Sequence, residues 1–349
     1  MLARALISQS ALKHNLSIVR KFSPNAKIVA MVKANGYGHR VDCIQTLLDN
    51  ADLFGVSSLC EAEKLREKTS KPIVLLPGVY SQQELEQSIN LNCDIVVHHT
   101  SQIKLVNQVK SKINVWLKLD TGMHRLGLSV EDFQSAFKQF SNNAYVNIAC
   151  QMSHFACADT TDHPLNLIQL NKFLKTISPN YPRSIANSAA ILSNVGSDFE
   201  FVRPGIMLYG ASPIIDQDFN LKPVMKLSAP VISVKSIKAG ESVGYGATWV
   251  ANQDTQLAII GIGYGDGYPR HAKNGTPVLI NDTLCKLAGR VSMDLICVDI
   301  GDTSVKIGDR AILWGDAKLR VETIANYSDT ISYELLTQVT QRVNFEIGL

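Results

Sequence analysis

Along the first two-thirds of the chain, short apolar runs rich in β-branched residues alternate with polar stretches whose apolar positions recur at helical spacing. The runs Ile28–Lys33, Leu53–Ser57, Ile73–Pro77, Ile95–His98, Val115–Asp120, Val146–Ser153, Arg183–Ala186 and Phe201–Leu208 read as strands. Between them, stretches such as Ser81–Asn90, Ser101–Lys110, Glu131–Phe140 and Pro164–Ile177 read as helices. Ser129, just ahead of Glu131 and Asp132, has the chemistry of a helix start, because its hydroxyl can accept from free N–H groups and carboxylates favour that end. Eight strand–helix units predict an α/β fold, a parallel (β/α)8 TIM barrel. An open doubly wound sheet is the competing architecture, but no GxGxxG follows the first strand.

Beyond about Leu221 the pattern changes. The runs Val231–Ile237, Leu257–Ile262, Pro277–Ile280, Leu295–Ile300 and Arg310–Leu313 are short and separated by Gly, Asn and Asp, which predicts a mainly antiparallel β domain. A helical stretch, Ser332–Gln341, is expected to close the chain. The expected division is residues 1–222 for the barrel and 223–349 for the β domain.

Composition narrows the classes of function. Apolar residues make up 46% and the net charge is only +3, so nothing favours a nucleic-acid or membrane-surface partner. No apolar run is long enough to span a bilayer, and the first residues lack a signal-peptide pattern. Seven scattered cysteines without CxxC spacing read as reduced packing residues. The cytoplasm is the expected location.

Barrel active sites lie at the C-terminal ends of the strands, so polar residues there carry the interest. They are Lys33, His98, Asp120, His154, Asn187 with Ser188, and Arg203 with Gly205. A lysine in a partly desolvated pocket loses proton affinity and can attack a carbonyl, whereas one reaching bulk water cannot; the segment MVKANGYGH (Met31–His39) allows either. In FVRPGIMLYG (Phe201–Gly210), Pro204-Gly205 can turn backbone N–H groups toward a phosphate, though ordinary turn chemistry would look the same. Lys118, Asp120 and Arg125 crowd one strand end, as an ion-pair network also would. Tyr245, Tyr264 and Tyr268 stand in glycine-rich loops, and His98 and His99 close a strand where a hydrogen-bonded histidine is the plainer reading.

Taken in order, MVKANGYGH, LKLDTGMHRLG, MSHFACAD, ANSAA, VRPGIMLYG, VGYGAT, GYGDGYPR, GRVSMD and ISYELL resemble the alanine racemase family over essentially the whole chain. The resemblance implies a pyridoxal 5'-phosphate (PLP) enzyme that interconverts the enantiomers of a small amino acid, with D-alanine going to cell-wall peptidoglycan. It implies that Lys33 holds the cofactor and serves one face of the substrate. Tyr245, from the partner subunit of a homodimer, would serve the other. Arg203 would meet the pyridine nitrogen, with His154 between it and the tyrosine. Tyr37, Ser188, Gly205, Ile206 and Tyr333 would bind phosphate, and Arg125 and Met293 the substrate carboxylate. Lys118 matches a lysine often carried as a carbamate.

Departures from the family pattern are Gly36, Arg40, His124, Ser184 and Ser292, which bear on rate and substrate preference. Racemases of serine or of broader range are the near alternatives. A PLP-dependent decarboxylase and a non-catalytic PLP-binding barrel are further ones. A metal-dependent barrel hydrolase using His98, His99, His154 and Asp120 is the alternative from another class.

Overall fold

A computed structural model describes residues 3–214 and 217–348. After β1 (Arg4–Ser8), eight parallel strands follow: β2 (Lys27–Met31), β3 (Leu53–Val56), β4 (Ile73–Leu75), β5 (Cys93–Val97), β6 (Ile113–Lys118), β7 (Val146–Met152), β8 (Arg183–Ser184) and β9 (Phe201–Val202). They pair in the order β8-β7-β6-β5-β4-β3-β2-β9. The gap between β8 and β9 is bridged where Arg203 N–H donates to the Ala186 carbonyl at 3.0 Å. This is the expected barrel. Strands such as β3 and β5 are buried at every residue, which is why they read as unbroken apolar runs.

The covering helices start where side chains can cap them. Ser58, Ser81 and Ser129 each accept the N–H three residues on, and Ser129 does so as the sequence predicts. The helix Val130–Ser141 turns Phe133, Ala136 and Phe140 onto the barrel, as its spacing requires.

Two expectations are corrected. The strand expected over Phe201–Leu208 ends at Val202, and Ile206–Tyr209 is a 3-10 turn. Pro204 has no N–H to continue a ladder, and Gly205 lets the chain swing away. The chain also closes on a strand rather than a helix: the helix Ser332–Gln338 is followed by Asn344–Gly348.

The second sheet contains β10 (Met225–Ile237), β13 (Thr255–Ile260), β14 (Pro277–Ile280), β15 (Thr283–Leu287), β16 (Ile296–Asp299), β17 (Arg310–Trp314) and β18 (Asn344–Gly348). A hairpin of β11 (Ser242–Val243) and β12 (Trp249–Val250) stands apart from it. Strands β10 and β13 pair and close the antiparallel part into a ring. This sheet takes a strand from the opposite end of the chain, because β1 pairs antiparallel with β10 and parallel with β18. No helix among the described residues is long and apolar enough to cross a membrane.

Candidate active site

Lys33 lies two residues past the end of β2. The backbone then runs left-handed, with φ/ψ of 51/48° at Ala34, 53/51° at Asn35 and 68/45° at Gly36. Left-handed geometry costs an L-residue roughly 1–2 kcal/mol, so this turn needs outside support. The Tyr37 ring stacks on Tyr209 at 4.9 Å, and the Tyr209 hydroxyl donates to the Met31 carbonyl at 2.9 Å. On the far side Gly38, at φ +80°, leaves no room: a Cβ there would lie 1.9 Å from the Leu336 carbonyl oxygen. Gly38→Ala is therefore expected to cost about 2–4 kcal/mol, read as a lowered denaturation midpoint in urea.

Around the mouth, positive charge outweighs negative. Burial lowers the proton affinity of Lys33, Arg125 lowers it further, and Glu61 opposes both. Burial, followed by Arg203 and Arg125, brings Lys118 down to about 8. Arg203 is fully buried, and burial brings even its guanidinium down to about 10. It donates to Ser184 Oγ at 2.5 Å and to the Ser153 carbonyl at 2.6 Å, and it lies 3.1 Å from His154 Nδ1. Among the described residues it has no carboxylate partner. His154 is held well below the usual imidazole range, first by burial and then by Arg203 and Lys118, so it is neutral and accepts from Arg203.

Arg125 is exposed on the loop after β6. Asp120 shapes that loop by accepting from the N–H groups of Gly122 at 2.9 Å and His124 at 3.1 Å. Its other oxygen lies 3.1 Å from the His124 ring. His124 thus serves the turn that presents Arg125.

Beside this cluster lies a cradle of neutral donors. Ser188 opens the helix Ser188–Leu192 with Asn187 as its cap, and the Ser188 hydroxyl accepts from Gly205 N–H at 2.8 Å. Gly205 precedes the 3-10 turn containing Ile206. A Cβ on Gly205 would stand 2.4 Å from the Tyr37 hydroxyl, so only glycine lets the phenol approach this backbone. Tyr333 packs against Tyr37 at 6.1 Å, and burial with Asp159 raises its phenol to about 12, keeping it a protonated donor. Hydroxyls and backbone N–H groups in a cationic mouth suit a phosphate. The amine of Lys33, its proton affinity lowered by burial and Arg125, suits an aldehyde, and Arg203 suits a ring nitrogen that accepts. The donor set therefore fits pyridoxal phosphate.

Ten of the twelve singled-out residues meet here; Tyr245 and Met293 do not. Tyr245 sits in the turn between β11 and β12 with 71% of its surface exposed, and Met293 is 52% exposed. Among the described residues neither side chain makes a hydrogen bond or ring contact with the mouth. His98 is committed to the Pro77 carbonyl at 3.0 Å, and His99 caps the helix Thr100–Asn107. No group of three or more His, Cys, Asp or Glu among the described residues could hold a metal ion. Of the departures, Arg40 lays its guanidinium 3.8 Å over the Phe345 ring. Ser184 hydrogen-bonds Arg203, and the Ser292 backbone pairs with Leu295 and Tyr264.

Two participants escape a reading of the sequence. Tyr209 lies inside a recognised motif, but nothing marks it as the platform for Tyr37. Glu61 carries a visible signal, the Ser58-x-x-Glu61 spacing of a helix start.

A barrel whose strand ends gather an amine, a buried guanidinium and a cradle of neutral donors, followed by a mainly antiparallel β domain, has the architecture of a two-domain isomerase. The family description "Alanine racemase, N-terminal domain" matches residues 7–213, and "Alanine racemase, C-terminal domain" matches 224–347. The chain belongs to the alanine racemase family. It is 60% identical over 339 residues, 97% of each chain, to an alanine racemase of Vesicomyosocius okutanii. The biosynthetic alanine racemase of Pseudomonas aeruginosa superposes with a TM-score of 0.96 at 39% identity, covering 100% of this chain and 99% of that one. The alanine racemase of Bartonella henselae, solved with covalently bound pyridoxal phosphate, gives 0.92 at 30% identity and 100% coverage of both.

Proposed function

We propose that this chain interconverts L-alanine and D-alanine with pyridoxal phosphate held on Lys33, and thereby supplies D-alanine for peptidoglycan. The observation that carries the reading is an amine of lowered proton affinity just past a strand end, in the same barrel mouth as a buried guanidinium that has no carboxylate partner among the described residues. Bound there, the cofactor supplies an electron sink that makes the substrate's α-proton labile. Arg203 is a permanent cation held by Ser184 and Ser153, so it would keep the ring nitrogen an acceptor and moderate that sink. Tyr37, Ser188, Tyr333 and the backbone at Gly205 and Ile206 would hold the phosphate. Arg125 and Met293 receive the substrate carboxylate end.

Inversion at carbon requires a proton to leave by one face and return by the other. Lys33 carries it on one side. Tyr245 carries it on the other, from a second copy of the chain, for in its own subunit the side chain lies exposed on the β domain. In this reading the division at 222/223 separates a unit that holds the cofactor from one that completes the neighbour's site, and the protein works in the cytoplasm as a homodimer. Exposed Met293, Tyr264 and Ile331 would be covered in that dimer. Lys118, brought to about 8, keeps an appreciable free-amine fraction near neutrality, the form that adds CO₂; the resulting carbamate would orient Arg125.

The purified protein is expected to convert L-alanine to an equal mixture of enantiomers, followed by chiral chromatography, and to lose activity on borohydride treatment. Peptide mapping should then find the reduced cofactor on Lys33. A colourless protein indifferent to added pyridoxal phosphate would end this reading, and faster turnover of serine than of alanine would redirect it.

A further inference from the structure

The helix Leu59–Arg66 follows β3, and Ser58 caps it by accepting from Glu61 N–H at 3.2 Å. In a capping box the glutamate at this position turns back to the N-cap residue's own N–H. Glu61 does something else. One carboxylate oxygen accepts from Ser57 N–H at 2.7 Å, and the other crosses to the neighbouring strand end and accepts from Ala34 N–H at 2.6 Å. That N–H belongs to the peptide bond formed by the Lys33 carbonyl. A single half-buried carboxylate thus joins the ends of β2 and β3 and opens the left-handed turn at its first residue.

We infer that Glu61 is the residue that positions Lys33, fixing the peptide after it and supplying the negative charge that its amine works against. This rests on the reading of Lys33 given above. Lys33 is otherwise faced by Arg125, Lys118 and a neutral His154; Asp120 opposes the charge on Lys118, and Glu61 is the carboxylate that opposes the cations at Lys33 itself. Helix capping alone would not call for the reach to Ala34. Two charge-assisted hydrogen bonds to backbone, each short, hold a strained turn that local propensity disfavours. The carboxylate also favours a proton on the Lys33 nitrogen, which sets the pH range over which that nitrogen can give and take one.

The test uses the holoenzyme and the Glu61→Gln variant, titrating the visible absorption band of the bound cofactor with pH and measuring kcat and KM for L-alanine in parallel. Glutamine keeps the size but loses the charge, and its amide nitrogen cannot accept. Removing an anion disfavours the protonated nitrogen, so the spectral midpoint is expected to move to lower pH. The kcat should fall about 10- to 100-fold, the worth of one hydrogen bond to a charged group, with KM nearly unchanged. An unmoved midpoint overturns the inference even if kcat falls, since that pattern marks a merely structural role. If Glu61→Gln does not fold, Glu61→Asp serves: it keeps the charge but cannot span both N–H groups. A retained midpoint with reduced kcat is then expected, and a displaced midpoint or undiminished kcat overturns the inference. Absence of cofactor or racemisation in the unaltered protein would instead defeat the underlying function, a separate result.

Discussion

Lys33→Ala is expected to abolish interconversion, lowering kcat by at least about 10⁴-fold, because on the proposed function it removes both the covalent anchor and one of two proton carriers. The loss should not come from unfolding. The turn after Lys33 is held by Glu61, by the Tyr37–Tyr209 stack and by backbone bonds, none of which uses the lysine side chain. Removing a partly desolvated amine among like charges relieves repulsion, so the variant should melt no lower than the parent. The measurements are an enantiomer-resolved rate assay and a thermal scan. A variant that retains a tenth of the parent activity would remove Lys33 from the chemistry.

Tyr245→Phe is the second large effect, with an expected loss of roughly 10²–10⁴-fold, the usual worth of a positioned acid or base. Because the two enantiomers are equal in free energy, kcat/KM must fall equally in both directions, so rates alone cannot show which face is lost. Isotope exchange can. In deuterated solvent one enantiomer should still exchange its α-hydrogen, through Lys33, while the other becomes inert. If both exchange as before, the tyrosine is a bystander. Mixing tests the shared site: co-producing Lys33→Ala and Tyr245→Phe chains should place one intact site in each hybrid dimer. With random pairing this restores about a quarter of the parent activity, whereas sites built within one chain would give none.

Much of this site can be read before any coordinates. The barrel strands are legible because burial on both faces leaves uninterrupted apolar runs, and some of the candidate groups follow such a run directly, as Lys33 follows Ile28–Val32 and Arg203 follows Phe201–Val202. The chain ends are not legible in the same way. The strands Arg4–Ser8 and Asn344–Gly348 are five residues each, and their pairing is fixed by partners hundreds of positions away rather than by local pattern. The Phe201–Leu208 run misleads because apolar content continues past Pro204 and Gly205, where the hydrogen-bond ladder cannot. The left-handed turn at Ala34–Tyr37 is hidden for a related reason: Ala and Tyr carry no preference for it, and the contacts that impose it come from Glu61, Tyr209 and the helix Ser332–Gln338. Glu61 follows a pattern that signals a helix start, and only geometry reveals that its carboxylate is spent elsewhere.

The first strand's place in the last sheet bears on how the protein is made. During synthesis Arg4–Ser8 emerges long before β10 and β18, the strands that flank it, so it must remain unpaired until Met225–Ile237 has emerged and lacks its second neighbour until Asn344–Gly348 follows. A fragment beginning at residue 223 would lack the strand between its own two neighbours and expose both their edges, an invitation to aggregate. Attempts to prepare the β-rich half alone should therefore carry the opening segment along, fused or supplied as a peptide.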